Sequence, residues 1–148
     1  MLQWAWQRFE ELGGDGVYDM LALRARIFIL EQGPYLDPDG LDRQAWHLSG
    51  RDASGELRAY LRVVHPGLKY AEPSIGRVVL DKPLRGSGAA DLLVAEGVKR
   101  CQAVWPGQGI RISAQAHLQG LYGRHGFATV GQAYLEDDIS HVQMWREP

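Results

Sequence analysis

Cysteine is nearly missing from this sequence: Cys101 stands alone among 148 residues. An internal disulfide is excluded, and a packed thiol in a reducing cytoplasm is expected. No apolar run approaches the roughly 20 residues that cross a bilayer. The opening MLQWAWQRFEEL lacks the basic start and apolar centre of an export signal, so neither a membrane nor secretion is expected. Charge of one sign is also lacking: 16 Lys and Arg against 18 Asp and Glu leave a formal net charge of −2, which gives nucleic acid no broad attraction. There is no cysteine cluster and no His-x-x-x-His pair, and no metal is expected. Repeats, low-complexity runs and interior linkers are absent too. With 45% hydrophobic and 23% charged residues, the chain reads as a single domain, residues 1–148, able to bury a core without staples.

What is present centres on Ile75 to Lys99. Ile75, Val78, Val79 and Leu80 form a short, β-branched, apolar run closed by Asp81-Lys82-Pro83, which reads as a buried strand. From Ala89 the apolar positions Ala90, Leu93, Val94 and Val98 follow helical spacing. Between them lies Arg85-Gly86-Ser87-Gly88-Ala89-Ala90, small side chains at a helix N-terminus where backbone amides can meet phosphate. Two known phosphate loops are excluded by spacing. A Walker loop needs Lys and Ser or Thr after its last glycine, but Ala89 and Ala90 follow Gly88. A dinucleotide fingerprint needs a small residue where Asp91 stands.

Elsewhere, Leu2, Trp4 and Trp6 alternate into a first strand that Gly13-Gly14-Asp15-Gly16 breaks. The periodicity from Met20 to Leu30 predicts a helix opening at Asp15 and ending before Gly33-Pro34. A loop follows from Gly33 to Arg43. Its Asp37-x-Asp39-Gly40-x-Asp42 run resembles the start of a calcium loop, but the glycine comes early and the twelfth position is Leu48. Strands are predicted at Trp46–Arg51, Leu57–His65, Ile110 onwards, Phe127–Leu135 and His141–Trp145, with a short helix from Ala116 to His125 closed by Gly126. The order β-α-β-β-β-α-β-α-β-β predicts an α/β fold with a mixed sheet and helices on both faces.

Arg85-x-x-Gly88-x-Ala90, directly after a strand ending Val78-Val79-Leu80, resembles the acetyl-CoA-binding motif of the GNAT N-acetyltransferases. A second landmark of that family appears at Leu121-Tyr122-x-x-x-Gly126-Phe127. Phe28-x-x-Glu31-Gln32, Tyr35-x-x-x-Asp39-Gly40-Leu41-Asp42, Gln115-Ala116-His117-Leu118-Gln119 and Tyr134-Leu135-Glu136-Asp137 with His141 resemble its ElaA-type branch. The resemblance implies the family's acyltransferase fold, a mostly antiparallel sheet of about seven strands. It also implies acetyl transfer from acetyl-CoA to an amine. Val78, Val79 and Leu80 would pair with the pantetheine arm, and Arg85, Gly86, Ser87, Gly88, Ala89 and Ala90 would hold the pyrophosphate. Tyr122 would protonate the departing thiolate. Gln115 stands where the family often has an asparagine that touches pantetheine.

Acyl transfer needs a neutral amine, so a base must take a proton from a group of pKa about 10.4 if it is lysine-like. His141 is the first candidate, with His47 and Glu31 behind it on the acceptor side. The acceptor is a small molecule or a peptide, and the acidic residues Asp37, Asp39 and Asp42 hint at a cationic one. A homodimer is compatible with the sequence. Two readings stand beside catalysis: a silent acetyl-CoA-binding member, and an interaction module whose glycine turn is only a tight connection.

Overall fold

The alternation around Trp4 and Trp6 gives strand β1, Gln3–Arg8. A helix, α1, follows directly at Phe9–Arg24. The computed structural model describes residues 1–33 and 35–148; the predicted helix end at Gly33-Pro34 falls partly on Pro34, outside the described residues. The break expected at the glycines ahead of Asp15 is present at Gly13, and what the pattern did not announce is the helical turn before it. Glu11 reaches back to accept the Arg8 backbone N–H at 2.8 Å, which caps the chain early. Gly13, at φ 69° and ψ 174°, is not helical and separates this first turn from the longer helix that follows. Its last turn, Ala25–Ile29, widens to a π-helical turn in which Leu30 N–H donates to the Ala25 carbonyl.

The remaining elements come in the predicted order: β2 (Trp46–Arg51), β3 (Leu57–Val64), β4 (Ser74–Leu80), α2 (Ala89–Val104), β5 (Ile110–Gln115), α3 (Gln119–Gly123), β6 (Phe127–Glu136) and β7 (Ile139–Arg146). The short helix is smaller than predicted, because Ala116–Leu118 forms a 3₁₀ turn before α3.

The seven strands form two antiparallel sheets, ordered β1-β2-β3-β4 and β5-β7-β6. Helices cover both faces. Met20, Leu23, Ile27 and Phe28 pack on Leu57, Tyr60 and Val79. On the other face, Leu93, Val94, Val98 and Cys101 join Leu48, Ala59, Leu61, Val63, Ile110 and Ile112 in a core that runs through both sheets. Tyr60 and Leu61 serve opposite faces because successive strand side chains alternate. Gly97 lets α2 settle on β3: a Cβ there would stand 2.6 Å from Leu61 Cδ2.

The division between the sheets positions the site. β4 and β5 meet where Arg111 N–H donates to the Pro73 carbonyl at 3.1 Å, and beyond that bond they share no ladder among the described residues. The register of β4 on β3 shifts so that Arg77 and Val78 together oppose Leu61. This is a bulge, with Arg77 in the left-handed region at φ 52°. Bulges increase twist and redirect a strand, and here the end of β4 parts from β5.

Candidate active site

An open cleft fills the gap between the parted strands. Gly76, Arg77 and Val78 line one wall, and Ile112 to Gln115 line the other. Tyr122, from α3, lies on the cleft. Its ring packs edge-on against Phe127 at 6.0 Å and the residue is only 6% exposed. Burial pushes the phenol above its ordinary pKa, so it holds its proton through neutral pH. Its hydroxyl makes no hydrogen bond to the described residues, which leaves that proton free for a ligand in the cleft.

His141 reaches the same cleft from β7. Its Nδ1 lies 2.7 Å from the Ile139 carbonyl. A carbonyl only accepts, so Nδ1 carries a hydrogen, and in the neutral tautomer the ring's lone pair is on Nε2. Glu136 Oε2 stands 3.4 Å from Nε2, where it can accept a hydrogen bond once that nitrogen is protonated. The ring stacks on Tyr134 with centroids 6.2 Å apart, and the Tyr134 hydroxyl bonds Ser113 Oγ of β5. The sequence reading did not single out Ser113 or the positioning of His141 by Tyr134. The signal was there: a two-residue turn at Asp137-Asp138 puts Tyr134 opposite His141 in the hairpin register.

The loop after β4 has the expected shape. Gly86 and Gly88 sit at φ 78° and 84°, Gly88 precedes the first turn of α2, and a Cβ at either would meet nothing within 4 Å. Arg85, Gly86, Ser87 and Gly88 are exposed, and Ala89 is buried against the core. The amides of Gly86, Gly88 and Ala90 have no partner among the described residues, as a phosphate cradle requires. Val79 and Leu80 pair with Tyr60 and Ala59 on the inner edge of β4, and Val78 lines the cleft. Gln115, at the end of β5, donates its amide to Gln32 Oε1 at 3.0 Å across the cleft. An open amide turn beside a parted strand fits an acyl-CoA thioester.

Other candidates lie elsewhere. Glu31 is not on the cleft; its carboxylate accepts from Arg85 at 2.9 and 3.1 Å. His47 is fully buried. Its Nε2–H donates to the Asp42 carbonyl at 2.8 Å, and its Nδ1 accepts from the Tyr60 hydroxyl at 2.6 Å. Burial lowers its pKa, partly offset by the bond to the Asp42 carbonyl. Both nitrogens are used, so it is a satisfied core histidine.

The acidic loop also changes meaning. Arg24 holds Asp37 at 2.8 Å and Asp42 at 2.6 Å, Arg62 grips both Asp39 oxygens at 2.8 Å, and Arg77 holds Asp37 at 2.9 Å. Burial opposes ionisation of Asp39 and Asp42, and the arginines outweigh it, keeping both below the usual carboxylate pKa. These carboxylates are balanced from within, and the hint of a cationic acceptor drawn from them is withdrawn. Cys101 is packed as expected, 1% exposed, and burial pushes its thiol up to about 12. No helix is long and apolar enough to cross a membrane.

Known proteins resemble this chain in sequence and in fold. Residues 52–147 match the acetyltransferase (GNAT) domain family. ElaA of Escherichia coli is 35% identical over 99% of this chain and 97% of its own, and a UPF0039 protein of Synechocystis is 44% identical over 97% and 94%. The crystal structure of an acyl-CoA N-acyltransferase from Pseudomonas aeruginosa superposes with a TM-score of 0.93 at 38% identity, covering 99% of both chains. That of Escherichia coli ElaA gives 0.93 at 35% identity, covering 99% of this chain and 100% of its own. With the parted strands and the glycine turn beside them, these likenesses decide the identity: the chain belongs to the GNAT acetyltransferase family, in its ElaA-type branch, and is an N-acetyltransferase.

Proposed function

We propose that residues 1–148 act as one domain that moves an acetyl group from acetyl-CoA directly to a primary amine, without an acyl-enzyme. The supporting observation is the phenol of Tyr122, protonated and unpartnered, on the cleft between β4 and β5. In this reading the Gly86, Gly88 and Ala90 amides hold the pyrophosphate, and the free edge of β4 from Val78 to Leu80 pairs with pantetheine. Gln115 turns its amide to the same arm. Glu31 keeps Arg85 in place at the turn. His141 Nε2 takes one proton from the acceptor ammonium, and Glu136 then accepts a hydrogen bond from the imidazolium. The neutral nitrogen attacks the thioester carbonyl; the C–N bond forms, the C–S bond breaks, and Tyr122 gives its proton to sulfur. The second amine proton restores the phenol through solvent. The products are the N-acetylamine, free CoA and one proton. A thiolate of pKa near 8.5, if cysteine-like, leaves poorly unless it is protonated as the bond breaks.

The test is thiol release from acetyl-CoA by the purified protein against polyamines, aminoglycosides, amino acids and lysine peptides, with the acetylated product identified by mass. Amine-dependent release is expected. Binding of acetyl-CoA by calorimetry without release for any amine would favour the silent reading. Absence of binding would overturn the cofactor assignment as well.

A further inference from the structure

A second, shallow hollow opens beside the cleft and shares Tyr35, Lys69, Arg77, Glu136 and Asp137 with it. Most charges there are already matched. Arg77 is held by Asp37 and Asp39, Asp39 by Arg62, and Glu136 lies against His141. Two charges have no ion-pair partner among the described residues. One is the Lys69 ammonium, which lies 5.8 Å from the Tyr70 ring and feels Glu136 and Asp39 on one side and Arg62 and Arg77 on the other without a direct ion pair to any of them. The other is Asp137, which lines the hollow from the β6–β7 turn and is itself left-handed at φ 51°.

One free cation and one free anion on one hollow suit a dipolar group. A polyamine would set an ammonium against Lys69, and a lysine within a peptide has neither an α-carboxylate nor an α-ammonium to offer. The adjoining cleft is lined in part by Ile75, Ile112 and Ile139, apolar surface that suits a methylene stem. We propose, on the strength of the acyl-transfer reading above, that the acceptor is a free diamino acid of the lysine or ornithine kind. Its side-chain amine enters towards Tyr122 and His141, its α-carboxylate meets Lys69, and its α-ammonium meets Asp137.

The experiment compares initial rates with acetyl-CoA for L-lysine and L-ornithine, for their decarboxylated counterparts cadaverine and putrescine, and for lysine blocked at both α-groups. A charge-assisted contact to the carboxylate should favour the free amino acids by about 10- to 100-fold in kcat/KM. Lys69→Gln should collapse the ratio of lysine to cadaverine towards one through KM. Asp137→Asn, which tolerates the left-handed backbone, should collapse the ratio of lysine to its Nα-acetyl derivative. Thermal melts establish that both variants fold. The assignment is overturned if cadaverine or blocked lysine is used as well as lysine, if folded Lys69→Gln keeps the wild-type ratio, or if the acetyl group is found on the α-nitrogen. Acetylation without preference would remove this acceptor and leave the acyl-transfer reading standing; no acetylation of any amine by a protein that binds acetyl-CoA would remove both.

Discussion

Tyr122 and His141 meet on one cleft from different elements, and the proposed reaction asks each of them to move one proton. Tyr122 is kept protonated by burial, and the Ile139 carbonyl holds His141 by Nδ1 with Nε2 turned towards Glu136. Tyr122→Phe keeps the ring and its edge contact with Phe127, so acetyl-CoA affinity and the melting temperature should stay near wild type. The chemical step should slow by about 10²- to 10⁴-fold, the usual worth of general-acid catalysis. Single-turnover kinetics and calorimetry on one preparation check this; an unchanged single-turnover rate would make Tyr122 structural. The raised phenol pKa also sets a sign: Tyr122 should cause no fall in rate below about pH 10, its ordinary pKa. At this scale the sequence was uneven. Tyr122 was legible from its spacing to Gly126-Phe127. Glu31 and His47 were not placed, because residue type does not say that one carboxylate would be spent on Arg85 or one imidazole on Tyr60 and a carbonyl.

Among the elements, the turn from β4 into α2 has the clearest requirement. Gly88 sits at φ 84°, so any side chain there is strained before it meets a ligand, by about 1–2 kcal/mol. Gly88→Ala should therefore lower both stability and affinity for acetyl-CoA. Gly67→Ala supplies the comparison: its φ is 91° and its Cβ would also meet nothing within 4 Å, but it lies in the β3–β4 connection. Both variants should lose a similar amount in thermal melts, and Gly88→Ala alone should bind acetyl-CoA more weakly in calorimetry. Equal affinities would deny the turn its phosphate role. The strand-turn-helix was readable because turn residues and periodicity are local. The extra turn at Phe9 was not, since it rests on the capping contact of Glu11 with Arg8 ahead of the glycine break.

For the molecule as a whole, acid should act through groups whose native pKa lies below the ordinary value. His47 is one, lowered by burial; Asp39 and Asp42 are others, where the arginines outweigh burial. The unfolded chain binds protons more readily at each of these groups, so stability falls as pH falls. His47 should begin the loss below about pH 6.5, and the aspartates should add to it below about pH 3.9. Melting temperatures from pH 8 to pH 4 should decline on the acid side, and His47→Gln should flatten the first part of that decline. A wild-type profile level from pH 8 to pH 5 would contradict the account.

The sequence by itself determined the element order, the helices on both faces, the glycine turn and the tyrosine landmark, because each is written in neighbouring residues or in a short repeat of apolar positions. Tertiary structure decided what those parts face. The bulge at Arg77-Val78 parts β4 from β5, and so makes the cleft, through a register shift against β3 that no local pattern announces. It also brought Arg24, Arg62 and Arg77, from three separate elements, onto Asp37, Asp39 and Asp42, turning a loop that read as a cation trap into an internally balanced one. Charges are matched by distance in space, and residues 13 to 40 positions apart became partners only when the chain had folded.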